Sequence, residues 1–67
     1  MNFQKALKSF LKSQGINVEV LADKLSCTKA NIYAKHKPSI NFIRDVCEAL
    51  NCYVITDGTN YQLIEKN

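Results

Sequence analysis

Four short stretches with helical apolar spacing, separated by residues that end or begin helices, constrain the fold more than any other feature of this sequence. In the first stretch, the apolar side chains recur at three- and four-residue intervals and form one stripe: Phe3, Ala6, Leu7, Phe10 and Leu11. Gly15 follows, and its access to the left-handed conformation suits it to end a helix. We therefore predict a first helix over about residues 2–14.

The second stretch predicts a shorter helix over about residues 18–25. Asn17 is a good cap for its start. Its apolar positions fall at i, i+3, i+4 and i+7 and are Val18, Leu21, Ala22 and Leu25. Ala22 is small enough to let a following helix approach closely.

Two further helices follow the same pattern. Thr28 can cap a third helix over about residues 29–36, which Pro38 cannot continue. Ser39 can cap a fourth helix over about residues 40–50. Its predicted inner face consists of Ile40, Ile43, Val46, Cys47 and Leu50.

The segment of about residues 52–65 has a different pattern. Residues 53–56 and 61–64 are rich in β-formers, and residues 57–60, DGTN, have turn chemistry, so we predict a hairpin. With a four-residue loop, the inner face holds Val54, Tyr61 and Leu63, and the outer face holds Tyr53, Ile55 and Ile64. A lone hairpin needs one face packed on the helices. Because the outer face is also apolar, we expect a second copy of the chain to cover it.

Charge is divided unevenly along the chain. Residues 1–37 contain seven lysines against Glu19 and Asp23, a net charge of +5, whereas residues 38–67 carry a net charge of −2. The basic half favours a polyanionic partner. Lys5, Lys8 and Lys12 are interpreted first as a solvated helix face.

Length and composition exclude several classes of protein. Sixty-seven residues form one small domain, residues 1–67, of marginal stability, which makes oligomerisation the expected extra source of stability. Three cysteines and one histidine, His36, have no metal-ligand spacing, and no catalytic constellation is visible, so we expect no metal, no cofactor and no enzymatic activity. No apolar stretch approaches membrane-spanning length, and we expect a cytoplasmic protein.

Two short helices separated by a three- or four-residue turn describe a helix-turn-helix. Residues 21–33, LADKLSCTKANIY, resemble the core of the lambda-repressor-like (Cro/xenobiotic-response-element) transcription regulators. The resemblance extends over about residues 3–51, and the later hairpin is similar to the dimerising strands of small Cro-type proteins. The expected fold is thus mainly α with a small β part: a four-helix lambda-repressor-like domain followed by a two-stranded antiparallel hairpin.

This resemblance implies operator DNA binding with the third helix in the major groove. Carried over by position, the contact residues are Asn17, Thr28, Lys29, Ala30 and Tyr33. The residue pattern adds Asn31 on the outer side of the third helix and Lys35 and Lys37 as phosphate contacts. Alternatively, Lys29 is a solvated helix lysine and Tyr33 packs on the surface.

Several positions depart from the family pattern. Val18 stands where a phosphate-contacting glutamine is common, and Ser26 replaces the usual turn glycine. Lys35 stands at a usual core position, and residues 36–38 replace the family's usual end of the third helix. These departures lie at positions that set the register of the DNA-facing side.

Two functions fit the sequence. The first is a sequence-specific, double-stranded DNA-binding regulator of transcription, of bacterial or phage type, acting as a homodimer on a palindromic operator. The second is an antitoxin-like or anti-regulator module that binds a protein through the hairpin and the acidic C-terminal half.

Overall fold

A computed structural model describes residues 2–34 and 38–66. In these residues the chain forms four helices followed by a hairpin: α1 (Phe3–Gln14), α2 (Val18–Leu25), α3 (Lys29–Tyr33), α4 (Ile40–Leu50), β1 (Cys52–Thr56) and β2 (Tyr61–Glu65). The mainly helical class with a small antiparallel β part is confirmed. None of these helices combines the length and apolar character needed to cross a bilayer.

Local capping determines where each helix begins. The side chains of Asn2, Asn17, Thr28 and Ser39 each accept a hydrogen bond from a backbone N–H in the first turn of α1, α2, α3 and α4, respectively. These four caps agree with the predicted helix starts, with Asn2 standing just outside α1 rather than inside it.

Left-handed residues end three of the helices. Gly15 has φ +67° after α1, Ser26 has φ +55° after α2 and Asn51 has φ +52° after α4. The predicted role of Gly15 is confirmed. At Ser26 the same conformation is adopted by a residue with a Cβ, which costs about 1–2 kcal/mol.

The core lies where the four helices meet the inner face of the hairpin. Its fully or almost fully buried members are Phe3, Leu7, Leu11, Leu21, Ala22, Ile32 and Val46. Phe3 joins three elements, because its ring makes edge-to-face contacts with Phe42 on α4 at 6.0 Å and with Tyr61 on β2 at 5.5 Å between centroids.

The hairpin has the four-residue-loop register. Tyr53 pairs with Ile64, Val54 with Leu63, and Thr56 with Tyr61. Val54, Tyr61 and Leu63 are half-buried on the inner face, as predicted. The loop is held by the Asp57 carboxylate, which accepts hydrogen bonds from the backbone N–H groups of the third and fourth loop residues at 2.9 and 2.8 Å.

One predicted core position is wrong. Ile40 is 78% exposed, and Phe42 packs against the core instead. The fully buried Val46 marks the inward direction of α4. At about 100° per residue, Ile40 lies about 120° away from Val46 around the helix, whereas Phe42 lies only about 40° away.

Candidate nucleic-acid interface

A three-residue turn joins α2 to α3. The backbone N–H of Ser26 donates to the carbonyl of Asp23 at 3.2 Å, and that of Cys27 donates to the carbonyl of Ala22 at 3.0 Å. These bonds satisfy the last carbonyls of α2 and reverse the chain direction sharply. Thr28 then begins α3 directly, with its hydroxyl oxygen accepting from the N–H of Asn31 at 3.2 Å.

The third helix has one anchored side and one exposed side. Ile32 is fully buried in the core, whereas Lys29, Ala30 and Asn31 are exposed. A fully buried side chain in a helix of only five residues fixes which way the other side chains point. Thr28 is also exposed, so four of the predicted contact residues lie together on the surface.

Lys29 forms an ion pair across the turn. Its Nζ lies 3.8 Å from Oε1 of Glu19 in the first turn of α2, and both side chains are more than half exposed. An exposed pair of this kind contributes about 0–1 kcal/mol, so an incoming anion can displace Glu19 at little cost.

Tyr33 has a less exposed environment than its neighbours. It is half-buried against the core, and the Nζ of Lys8 from α1 lies 4.6 Å from the centroid of its ring. The side-chain amide of Gln4, one turn before Lys8, donates a hydrogen bond to the Tyr33 carbonyl. Both expectations for Tyr33 therefore remain compatible with its position: the ring packs, and its outer part stays accessible.

The third helix is shorter than predicted. It ends at Tyr33, with Ala34 as its C-cap, rather than near residue 36. The Tyr33 carbonyl accepts a hydrogen bond from the Gln4 side-chain amide, which ties this end of α3 to α1. Lys35 and Lys37, the two predicted phosphate contacts beyond this point, lie outside the described residues.

Asn17 lies at the opposite end of the same surface. It is exposed, and its Oδ1 accepts from the N–H of Glu19 at 3.0 Å. Because a cap uses only the amide oxygen, the two N–H donors of the Asn17 side chain are not used by the cap.

The outer face of the hairpin is the second candidate surface. Tyr53 is 54% exposed, Ile55 56% and Ile64 37%, and the register places all three on one side. The ammonium of Lys66 lies 5.1 Å from the Tyr53 ring centroid at the edge of this face. Single exposed apolar residues are ordinary, but three adjacent ones on one sheet face are typical of an interaction surface.

The cysteines are free thiols. Cys27 and Cys47 are half-buried and Cys52 is buried. Burial, reinforced by the neighbouring Cys47 thiol, raises the pKa of Cys52 to about 11, so Cys52 stays neutral near pH 7. Across residues 2–34 and 38–66, no three His, Cys, Asp or Glu side chains are grouped in a way that could hold a metal ion.

An open groove of about 630 Å³ lies between α1 and the loop end of the hairpin. Phe10 and Leu63 contribute apolar walls, and Ser9 and Asp57 contribute polar ones. The Asp57 carboxylate at this groove already accepts two hydrogen bonds from its own loop.

Three residues of the interface did not emerge from the sequence. Gln4, Lys8 and Glu19 come next to α3 only through tertiary packing. The spacing of Lys5, Lys8 and Lys12 at i, i+3 and i+7 did indicate a common face, but no local signal indicated that this face adjoins α3.

A scan against protein-family models and searches of curated proteins and of solved structures found no match. The lambda-repressor-like resemblance therefore stays a prediction from residues 3–51.

Proposed function

We propose that this protein is a sequence-specific DNA-binding regulator of transcription that reads the major groove with α3. The observation that carries the proposal is the anchoring of α3 by fully buried Ile32, while Lys29, Ala30 and Asn31 stay exposed. A short helix held by one side and set off by a tight turn is the arrangement that can enter a groove.

The exposed side chains have suitable chemistry for base readout. Asn31 can bond both edge atoms of an adenine, Lys29 can donate to guanine, and the Ala30 methyl can contact the methyl of thymine. The hydroxyl of Thr28 and the amide of Asn17 keep donors for phosphate oxygens while their oxygens cap helices. Tyr33, Lys35 and Lys37 extend the proposed contact set along the chain.

The outer face of the hairpin supports a homodimer. Tyr53, Ile55 and Ile64 form an exposed apolar surface that a second copy can cover with its own equivalent surface. Such a pair would place two copies of α3 in successive major grooves about 34 Å apart, on a palindromic operator of the type that bacterial and phage regulators use.

Selection of bound duplexes from a random DNA pool, at fixed salt, tests the proposal. We expect an enriched palindromic site, for which Lys29→Ala weakens binding by about 1–3 kcal/mol and relaxes one base position. Arg44→Ala, which removes an exposed charge on α4, is the matched control and should leave affinity almost unchanged. The absence of any DNA retardation at low salt would overturn the proposal.

A protein-interaction module is the second candidate, and the exposed outer face of the hairpin is the observation that favours it. This face could bind another protein instead of a second copy. A solution mass equal to one chain, combined with no DNA binding at low salt, would favour this alternative.

A further inference from the structure

Three lysines form a row along α1. Lys5, Lys8 and Lys12 are all exposed, and at about 100° per residue they lie within a sector of about 60° around the helix. α1 contains no Asp or Glu, so the helix itself supplies no compensating charge. We refer to Lys5, Lys8 and Lys12 as the α1 lysine row.

The α1 lysine row adjoins the exposed side of α3. Lys8 lies over the ring of Tyr33, and Tyr33 is one helical turn after Lys29, so these two residues share a face of α3. Gln4 ties the end of the same helix to α1 through the Tyr33 carbonyl. The basic surface is thus continuous from Lys29 across Tyr33 to Lys8.

We infer that the α1 lysine row binds the phosphate backbone of duplex DNA beside the groove that α3 enters. The inference rests on the proposed DNA-binding function. From Lys5 to Lys12 the row is about 10 Å long at 1.5 Å per residue. Duplex DNA carries about one phosphate charge per 1.7 Å of its axis with both strands counted, so a surface of this length faces more phosphates than the row has lysines.

Lys8 has a different task from its two neighbours. Its stem and charge cover the Tyr33 ring, so it supports α3 as well as carrying charge. Lys5 and Lys12 contribute only their charge, because neither side chain forms an ion pair or lies over a ring within residues 2–34 and 38–66. They can therefore be changed without disturbing the support of α3.

The test compares two double variants with equal loss of charge. K5Q/K12Q removes the two end charges of the α1 lysine row. K24Q/R44Q, the control, removes two exposed charges elsewhere. Arg44 is on α4, and Lys24 on α2 reaches α4 because its Nζ donates to the Ala49 carbonyl at 3.4 Å. Binding to a random-sequence DNA duplex is measured by fluorescence anisotropy over a range of salt concentrations. Thermal unfolding of each variant checks that the fold is intact.

The slope of log K against log salt is negative. We expect K5Q/K12Q to make this slope shallower by about 2 per chain, because each phosphate that a lysine neutralises contributes about 0.9 to its magnitude. Over a fourfold rise in salt, the loss of affinity then becomes about tenfold smaller than in the wild type. K24Q/R44Q should keep the wild-type slope.

Three results would overturn the inference, and they differ in what else they exclude. If the wild type does not bind duplex DNA, the proposed function fails together with the inference. If the wild type binds but K5Q/K12Q keeps its slope, the α1 lysine row is outside the interface and the proposed function stands. If the wild type also binds labelled polyglutamate in the same assay, and K5Q/K12Q loses that binding while it binds duplex DNA as the wild type does, the row serves an acidic protein instead.

Discussion

The helices and the hairpin bury their apolar residues in different ways. The helices direct most of theirs into one shared core, where Leu21, Ile32 and Val46 have no exposed surface, and each of α2 and α4 leaves one large apolar residue exposed. The hairpin covers its inner face in the same core but leaves Tyr53 and Ile55 more than half exposed on its outer face. The helices therefore expose single apolar residues, whereas the hairpin exposes a group of adjacent ones on one face.

Charge separates the same two regions. The basic surface runs along α1 and α3 and includes Lys8 and Lys29, while the hairpin carries Asp57 and Glu65 against the single cation Lys66. The difference fits the two partners proposed above, a polyanion beside α1 and α3 and an apolar surface against the hairpin. Substitutions placed in one region and then in the other test whether the two surfaces act separately.

The largest effect is expected at the anchor of α3. Ile32→Ala should lower the free energy of unfolding by about 2–5 kcal/mol, because it opens a cavity in the shared core. Ile55→Ala, the same change on the outer face of the hairpin, should cost the monomer less than about 0.5 kcal/mol. Urea denaturation at low protein concentration measures both, and equal losses would contradict the comparison.

A charge on the outer face should act on association rather than on folding. Ile55→Asp should weaken dimer formation more than about tenfold, or 1.4 kcal/mol, because a buried unpaired carboxylate is costly. Its own helices do not cover Ile55, so the variant should fold. Sedimentation equilibrium measures the dimer fraction, with Asn41→Asp on α4 as the charge-matched control. A dimer that withstands Ile55→Asp would place the interface elsewhere.

The turn before α3 allows a gain in stability. Ser26→Gly should raise the free energy of unfolding by about 1 kcal/mol, because glycine adopts the left-handed conformation without a steric cost from Cβ. For a domain of this size, that is a rise in Tm of about 4–8 °C. Calorimetry measures it, and a fall in Tm would mean that the serine side chain itself stabilises the turn.

The smallest effect concerns the loop of the hairpin. Backbone N–H groups of Asn60 and Thr59 donate to the Asp57 carboxylate and lower the pKa of Asp57 below its ordinary 3.8. Its contribution to stability is therefore present above pH 3.8 and is lost as the pH falls through the lower pKa of the folded state. In the wild type, the protection of the hairpin amides against hydrogen exchange should therefore decrease as the pH falls through this pKa. In Asp57→Asn, whose amide oxygen can still accept these bonds, the dependence should disappear.

Local signals in the sequence were sufficient for most of the fold. Asn17 and Gly15 were identified as helix boundaries because capping depends on neighbouring residues alone, and the turn chemistry of residues 57–60 predicted the hairpin and its inner face. The prediction that Ile40 faces the core was wrong because apolar residues at helical spacing can cover more than one face of a helix, and the spacing does not show which face is buried.

The candidate interface was predictable only in part. Exposure of Lys29, Ala30 and Asn31 follows from the position of buried Ile32 on the same short helix. The place of Gln4 and Lys8 beside Tyr33 depends on tertiary contacts between residues more than twenty positions apart in the sequence. No periodicity could reveal them, and the DNA contacts themselves remain predictions.

The hydrogen bond from Gln4 to the Tyr33 carbonyl bears on whether α2 and α3 can be studied as a separate fragment. Five residues are too few to nucleate a stable helix by themselves, so α3 takes its shape from docking against its neighbours. A peptide spanning α2 and α3 would carry the full set of proposed base-reading side chains, yet it would lack the Gln4 side chain that ties the end of α3 to α1. Grafting these residues onto another scaffold would require bringing part of α1 with them.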